Sequence, residues 1–199
     1  MGKTEQQWDK YLKIDTVKHD TADADEYRFA YEPTPYPVLG LLADHGYVGK
    51  TNYLLDYGCG KGRAVFYLSY LTKCRAVGLE YNERILKAAR YNKASAVSGK
   101  HVELVHSDAG AFEVPADVDR CFFFNPFSVE IFRKVYAKVL DSWYEKPREI
   151  LFFFYYISDD YLEFIYGHTE LRLCEEIDCR AYPIGEPRRE KIMVFSLDR

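Results

Sequence analysis

The chain has 199 residues with 27 basic and 31 acidic side chains, a net charge of -4, 48% hydrophobic and 29% charged residues. That length suits one domain with a short appendage, and the composition excludes a disordered chain and offers no apolar run long enough to cross a membrane. A net acidic chain has no general attraction for a polyphosphate backbone, so duplex nucleic acid is disfavoured as a partner.

Residues 1–50 read as an N-terminal helical cap and residues 51–199 as the main domain. Thr4 followed by Gln7 is a capping-box signature, with Trp8, Tyr11 and Leu12 at helical spacing behind it. Charged residues crowd 19–28, which reads as a solvated loop. Thr34 is placed to cap a helix whose first turn tolerates Pro35 and Pro37, with Val38, Leu39, Leu41 and Leu42 on its apolar face. Gly46 is the expected terminator.

From residue 51 strands and helices alternate. Strands are expected over 53–56, 74–79, 102–105, 119–124 and 150–156, with two more over 171–177 and 191–197. Helices are expected over 63–71, from a cap at Asn82 through 96, from a cap at Ser128, and over 159–166. The helix after Ser128 carries the clearest 3.6-residue stripe: Phe132, Val135, Tyr136, Val139, Leu140 and Trp143. Such alternation implies a parallel sheet covered on both faces, which binds ligands at the carboxyl ends of its strands. Asp56, Glu80, Asp108 and Asn125 all fall at those ends.

The run Gly58-Cys59-Gly60-Lys61-Gly62 after the first strand allows a tight turn and close backbone approach to a ligand. A dinucleotide-binding turn is the competing reading. Against it, Arg63 stands where that fingerprint wants Gly or Ala, and Asp56 would face a pyrophosphate. A ligand with an ammonium group suits both the acid and the loop amides. Glu80, ending the second strand, suits ribose hydroxyls. The five cysteines form no CxxC pair and the five histidines no HxxxH spacing, so reduced thiols and no metal are expected. The first ten residues contain no apolar signal region, which makes the cytoplasm the expected compartment.

Asp56-Tyr57-Gly58-Cys59-Gly60-Lys61-Gly62, Glu80, Ser107-Asp108-Ala109 and Asn125-Pro126-Phe127 together resemble the motifs of class I S-adenosylmethionine-dependent methyltransferases. The resemblance implies a Rossmann-like, mostly parallel sheet of seven strands with the last antiparallel, helices on both faces, and S-adenosyl-L-methionine as cofactor. It implies that Asp56 and the loop of Tyr57, Gly58, Cys59, Gly60 and Gly62 hold the methionine moiety. Glu80, with Tyr81 after it, would take the ribose, and Ser107, Asp108 and Ala109 the adenine. Asn125-Pro126-Phe127 resembles the Asn-Pro-Pro-aromatic signature of N-methyltransferases, with one proline where that signature has two. It implies that the Asn125 side chain and Pro126 carbonyl orient an amine while Phe127 offers a stacking face. The segment containing Tyr31 and Thr34 is reminiscent of stretches that fold over the cofactor in lysine-directed relatives.

The expected acceptor is a nitrogen of a small molecule or of a protein side chain, with Phe127, Tyr155 and Tyr156 lining its site. A structural turn at Asn-Pro is the plain alternative for Asn125. Arg188, Arg189 and Lys191, interleaved with Glu186 and Glu190, read as a solvated loop. Two other functions fit the same motifs: a catalytically silent cofactor-binding partner protein, and a nucleic-acid N-methyltransferase. The oligomeric state leaves no trace in the sequence.

Overall fold

The computed structural model describes residues 2–17 and 32–198. The expected solvated loop and Tyr31 lie outside the described residues. Seven strands form one sheet in the order β3-β2-β1-β4-β5-β7-β6. They are β1 (Tyr53–Tyr57), β2 (Arg75–Glu80), β3 (Val102–His106), β4 (Arg120–Phe124), β5 (Ile150–Tyr155), β6 (Arg172–Asp178) and β7 (Lys191–Leu197). The pairs β1–β2, β2–β3, β1–β4 and β4–β5 are parallel, and β7 runs antiparallel to both β5 and β6. Strand order reverses beside β1, so β1 and β4 flank the place where such sheets bind ligands.

Among the described residues six α-helices accompany the sheet: α1 (Glu5–Leu12), α2 (Tyr36–Asp44), α3 (Arg63–Thr72), α4 (Glu83–Ser95), α5 (Val129–Glu145) and α6 (Asp159–His168). The alternation of strand side chains splits the core in two. Leu55, Tyr57, Phe123, Phe152 and Phe154 share a core with the buried stripe of α5, Phe132, Val135, Tyr136 and Val139, and with Tyr161, Phe164 and Ile165 of α6. Leu54, Phe122, Leu151 and Phe153 face α2 and α3. Leu12, Ile14, Tyr36, Val38, Leu39 and Leu42 belong to this second core, so these residues of α1, α2 and the stretch after α1 pack against the sheet.

Local chemistry sets the element ends. Thr4 and Gln7 form the reciprocal capping box of α1, and the Asn82 side chain accepts from the Arg84 and Ile85 amides at the start of α4. Two expected caps differ. α2 starts at Tyr36 with Pro35 as its N-cap residue and no side-chain cap bond, because the Pro35-Tyr36-Pro37 sequence already fixes the backbone; Thr34 lies one residue too early. Ser128 occupies the N-cap of α5 but makes no cap bond, and its buried Oγ lacks a partner among the described residues.

Candidate active site

The glycine loop leaves β1 in left-handed conformations that L side chains resist: φ is +74° at Gly58, +55° at Gly60 and +89° at Gly62. The Gly58 and Cys59 amides both donate to the Leu79 carbonyl at 2.9 Å, which ties the loop to β2. A Cβ on Gly58 would stand 2.5 Å from Cβ of Pro126, and one on Gly62 would stand 2.5 Å from the Phe66 ring. Gly62 is also the N-cap of α3, and among the described residues no side chain caps the helix's first amides.

Two carboxylates sit beside this loop. Asp56 is buried near the end of β1, and burial first, then the charge of Glu80, pushes its carboxyl up to about 8. Glu80 ends β2 and accepts from the Gly60 amide at 2.9 Å through one oxygen and from the Asn82 amide at 2.8 Å through the other. Burial raises its carboxyl above the usual range, opposed by these amide bonds. The Tyr81 amide is a third backbone partner of this carboxylate, which with about four lone-pair sites keeps capacity for one further donor. The Ser107 amide donates to the Glu80 carbonyl at 3.2 Å, bringing the loop after β3 alongside. Asp108 turns that loop by accepting from the Gly110 amide at 2.9 Å. Ser107, Asp108 and Ala109 are all half-buried, and Tyr81 is 51% exposed.

The ends of β4 and β5 form the other wall. Phe124 and Tyr155 are register partners, so Asn125 and Tyr156 follow side by side, and both adopt left-handed backbone, with φ +39° and +56°. Non-glycine residues in that region concentrate at functional sites. Arg189 holds the Tyr156 turn: Nη2 donates to the Tyr156 carbonyl at 2.7 Å, Nε to the Ile157 carbonyl at 3.1 Å, and the guanidinium lies 4.2 Å from the Tyr156 ring centroid. Buried Glu190 anchors the same segment by accepting from the Ile184 and Gly185 amides and from the Tyr155 hydroxyl. Arg189 and Glu190 are thus built into the strand ends and are not the solvated charges expected of them. Arg188 is exposed and pairs with Asp159 and Glu186.

Several expected site residues are placed differently. Phe127 is 5% exposed, its ring packed edge-on to Tyr57 and Phe123 and its carbonyl accepting from Tyr161, so it offers no free stacking face. Tyr57 stacks on Phe123 with centroids 4.8 Å apart, leaving only its main chain to the loop. Tyr155 is fully buried with its hydroxyl on Glu190. Burial pushes the Cys59 thiol well up, and its Sγ packs on the space Gly78 leaves; it is a packing residue. Thr34 is buried and reaches the site region through its carbonyl, which accepts from Arg63 at 3.2 Å. Among the described residues no cluster of three or more His, Cys, Asp or Glu could hold a metal ion, and no helix is long and apolar enough to cross a membrane.

These residues fit S-adenosylmethionine. A buried acid beside uncapped helix amides suits the zwitterionic methionine end, the glycines leave the space a Cβ would fill, and Glu80 keeps acceptor capacity for ribose. The comparisons agree. A protein-family profile described as a methyltransferase domain matches residues 54–146. Among solved structures, an RNA methyltransferase from Salinibacter ruber in complex with S-adenosyl-L-homocysteine superimposes with a TM-score of 0.59 at 19% identity, covering 84% of this chain and 95% of that one. A glycopeptide N-methyltransferase complexed with S-adenosyl-L-methionine gives 0.62 at 14% identity, covering 82% and 93%. A precorrin-6y C5,15-methyltransferase from Geobacter metallireducens GS-15 gives 0.58 at 19% identity, covering 90% and 98%. No curated protein sequence matches significantly.

The chain is a Rossmann-like, S-adenosylmethionine-dependent methyltransferase. The three neighbours are named for different acceptors and leave the acceptor of this one undefined.

Proposed function

We propose that this enzyme methylates a nitrogen nucleophile carried by a small molecule or a protein side chain. The observation that carries the reading is Asn125, held with φ +39° at the end of β4 and followed by Pro126, whose ring packs against Gly58 of the cofactor loop. When bound, S-adenosylmethionine supplies an electrophilic methyl group on a sulfonium. The Asn125 side-chain oxygen and the Pro126 carbonyl are acceptors that orient an attacking amine and take up the positive charge growing on its nitrogen. Contact between the Pro126 and Gly58 segments fixes the nucleophile's holder against the cofactor's holder, the alignment an in-line displacement requires.

Phe127 is withdrawn into the core, so recognition of a planar substrate by that ring is not part of the proposal. Tyr156, after the end of β5, stays half-buried, with its hydroxyl accepting from the Glu186 amide at 2.5 Å. The net charge of -4 favours a small or protein-borne acceptor over duplex nucleic acid.

The test is incubation with isotopically labelled S-adenosylmethionine and fractionated cell extract, followed by mass spectrometry. Label recovered on a nitrogen of a metabolite or protein supports the reading. Label on oxygen, carbon or nucleic acid overturns it. Cofactor binding without transfer to any fraction would instead indicate a silent binding protein.

A further inference from the structure

The residue that spoils the dinucleotide fingerprint has a structural task. Arg63 opens α3 directly after Gly62, and its guanidinium is buried, with the residue 3% exposed. It is directed away from the sheet and into the N-terminal segment. Nε donates to Thr16 Oγ1 at 2.7 Å, Nη1 donates to the Thr34 carbonyl at 3.2 Å and pairs with Glu5, and the guanidinium carbon lies 4.4 Å from the Tyr36 ring centroid. One side chain therefore joins α1, the stretch after it, and the residues leading into α2. Asp9 completes the knot: it accepts from the Thr16 amide at 2.5 Å, from the Thr16 hydroxyl at 2.8 Å, and from the Tyr36 hydroxyl.

A second tie reaches the loop from the other side. Asn92 on α4 is buried; its Oδ1 accepts from the Asp15 amide at 2.9 Å, while its Nδ2 donates to the Asp15 carbonyl at 3.2 Å and to the Lys61 carbonyl at 3.0 Å. The Lys61 carbonyl belongs to the glycine loop itself. The N-terminal segment is thus bonded to the loop's last residues on both sides, through Asn92 before Gly62 and through Arg63 after it.

We propose that Arg63 and Asn92 are positioning residues for cofactor binding, which set the glycine loop by clamping it to residues 5–16 and 34–36. Gly58, Gly60 and Gly62 carry no side chains that could hold their backbone, so the loop depends on outside bonds to keep its amides aimed. Arg63 brings a rigid fork of donors that one lysine cannot reproduce. The N-terminal helix has other anchors remote from the loop, among them the Tyr11 and Tyr70 hydroxyls 2.8 Å apart and the Trp8–Tyr67 ring contact. Those should matter for stability alone.

The proposal rests on the cofactor assignment, and the wild-type protein tests that first: absence of S-adenosylhomocysteine binding there sinks the assignment, whatever the variants do. With binding established, Asn92→Ala, Glu5→Gln and Arg63→Lys are compared by calorimetric titration with S-adenosylhomocysteine. Each should weaken binding roughly five- to ten-fold, the range for losing one such hydrogen bond. The amides of residues 60–64 should exchange faster in the cofactor-free Asn92→Ala protein. Tyr11→Phe, which loosens the same helix elsewhere, should leave both readouts unchanged. Arg63→Lys alone could fail by misfolding, so the decision lies with Glu5→Gln and Asn92→Ala. If both fold and bind S-adenosylhomocysteine within two-fold of wild type, the proposal is wrong. It is equally wrong if Tyr11→Phe weakens binding as much as they do.

Discussion

Gly58 and Pro126 are in contact across the carboxyl ends of β1 and β4, so closely that a methyl group on Gly58 would stand 2.5 Å from the proline Cβ. A shift of the glycine loop toward β4 therefore meets the loop after that strand. Gly58→Ala meets two obstacles: a φ of +74°, costing roughly 1–2 kcal/mol for an L residue, and overpacking against Pro126, costing about 1–3 kcal/mol. We expect a lower melting temperature together with weaker S-adenosylhomocysteine binding. A protein that loses neither would show that the two loops yield to each other easily.

Phe127 tests the correction the fold imposes. With its ring among Tyr57, Phe123 and the rest of the core under α5 and α6, Phe127→Ala should cost about 3–5 kcal/mol of stability, as large-to-small aromatic truncations do. Phe127→Leu, which refills much of the space, should recover most of that loss and keep methyl transfer with an unchanged KM for the acceptor. A raised acceptor KM in the stable Phe127→Leu protein would return the ring to the substrate site.

Much of this architecture is legible in the sequence, because strands and helices alternate cleanly and the polar residues at strand ends interrupt apolar runs. That logic places Asp56, the glycine loop and Glu80 at the ends of β1 and β2. What escaped are side chains whose roles depend on what is remote in sequence. Arg63 reads only as a departure from a fingerprint, since its partners Glu5, Thr16 and Thr34 precede it by dozens of residues. Asn92 reads as a polar residue within a helix. Glu190 and Arg189 look solvated because neighbouring charges surround them, and only the pairing of β5 with β7 brings them to Tyr155 and Tyr156. Phe127 fails in the opposite way: an aromatic residue in a motif looks available, and nothing local says that the chain turns it inward.

Asp56 makes a pH prediction with a definite sign. Its carboxyl is raised to about 8 in the folded protein, by burial first and by the charge of Glu80 second. Between the ordinary carboxylate range and pH 8 the folded state holds a proton that the unfolded chain has released. This group's contribution is therefore fully present below its unfolded value and lost as pH rises through about 8, by up to about 1.4 kcal/mol per pH unit. A cationic ammonium favours the ionised carboxylate, so cofactor binding near neutral pH should expel that proton. S-adenosylhomocysteine affinity should climb with pH and level off above about 8. Calorimetry at pH 7 in buffers of different ionisation heat measures the released proton directly. Asp56→Asn should abolish the buffer dependence, and buffer-independent heats in the wild type would refute the coupling.

Asn125 separates chemistry from architecture, because its φ of +39° lets two substitutions make different demands. Glycine adopts left-handed backbone without strain, whereas alanine pays roughly 1–2 kcal/mol there. A purely turn-forming Asn125 would thus be replaced by glycine with little consequence, while alanine would destabilise the protein. A residue that orients the attacking nitrogen loses its function in both. We expect Asn125→Gly to melt within a few degrees of wild type and to bind S-adenosylhomocysteine within a few-fold, since Gly58 still packs on Pro126. Its methyl transfer should nonetheless fall by about 10²-fold or more, the usual loss when a group that stabilises transition-state charge is removed. The measurement is single-turnover transfer of labelled methyl to the acceptor found in the extract screen, at saturating cofactor. Transfer in Asn125→Gly at the wild-type rate would leave the side chain with a structural role only and move the acceptor-binding group elsewhere on the strand ends.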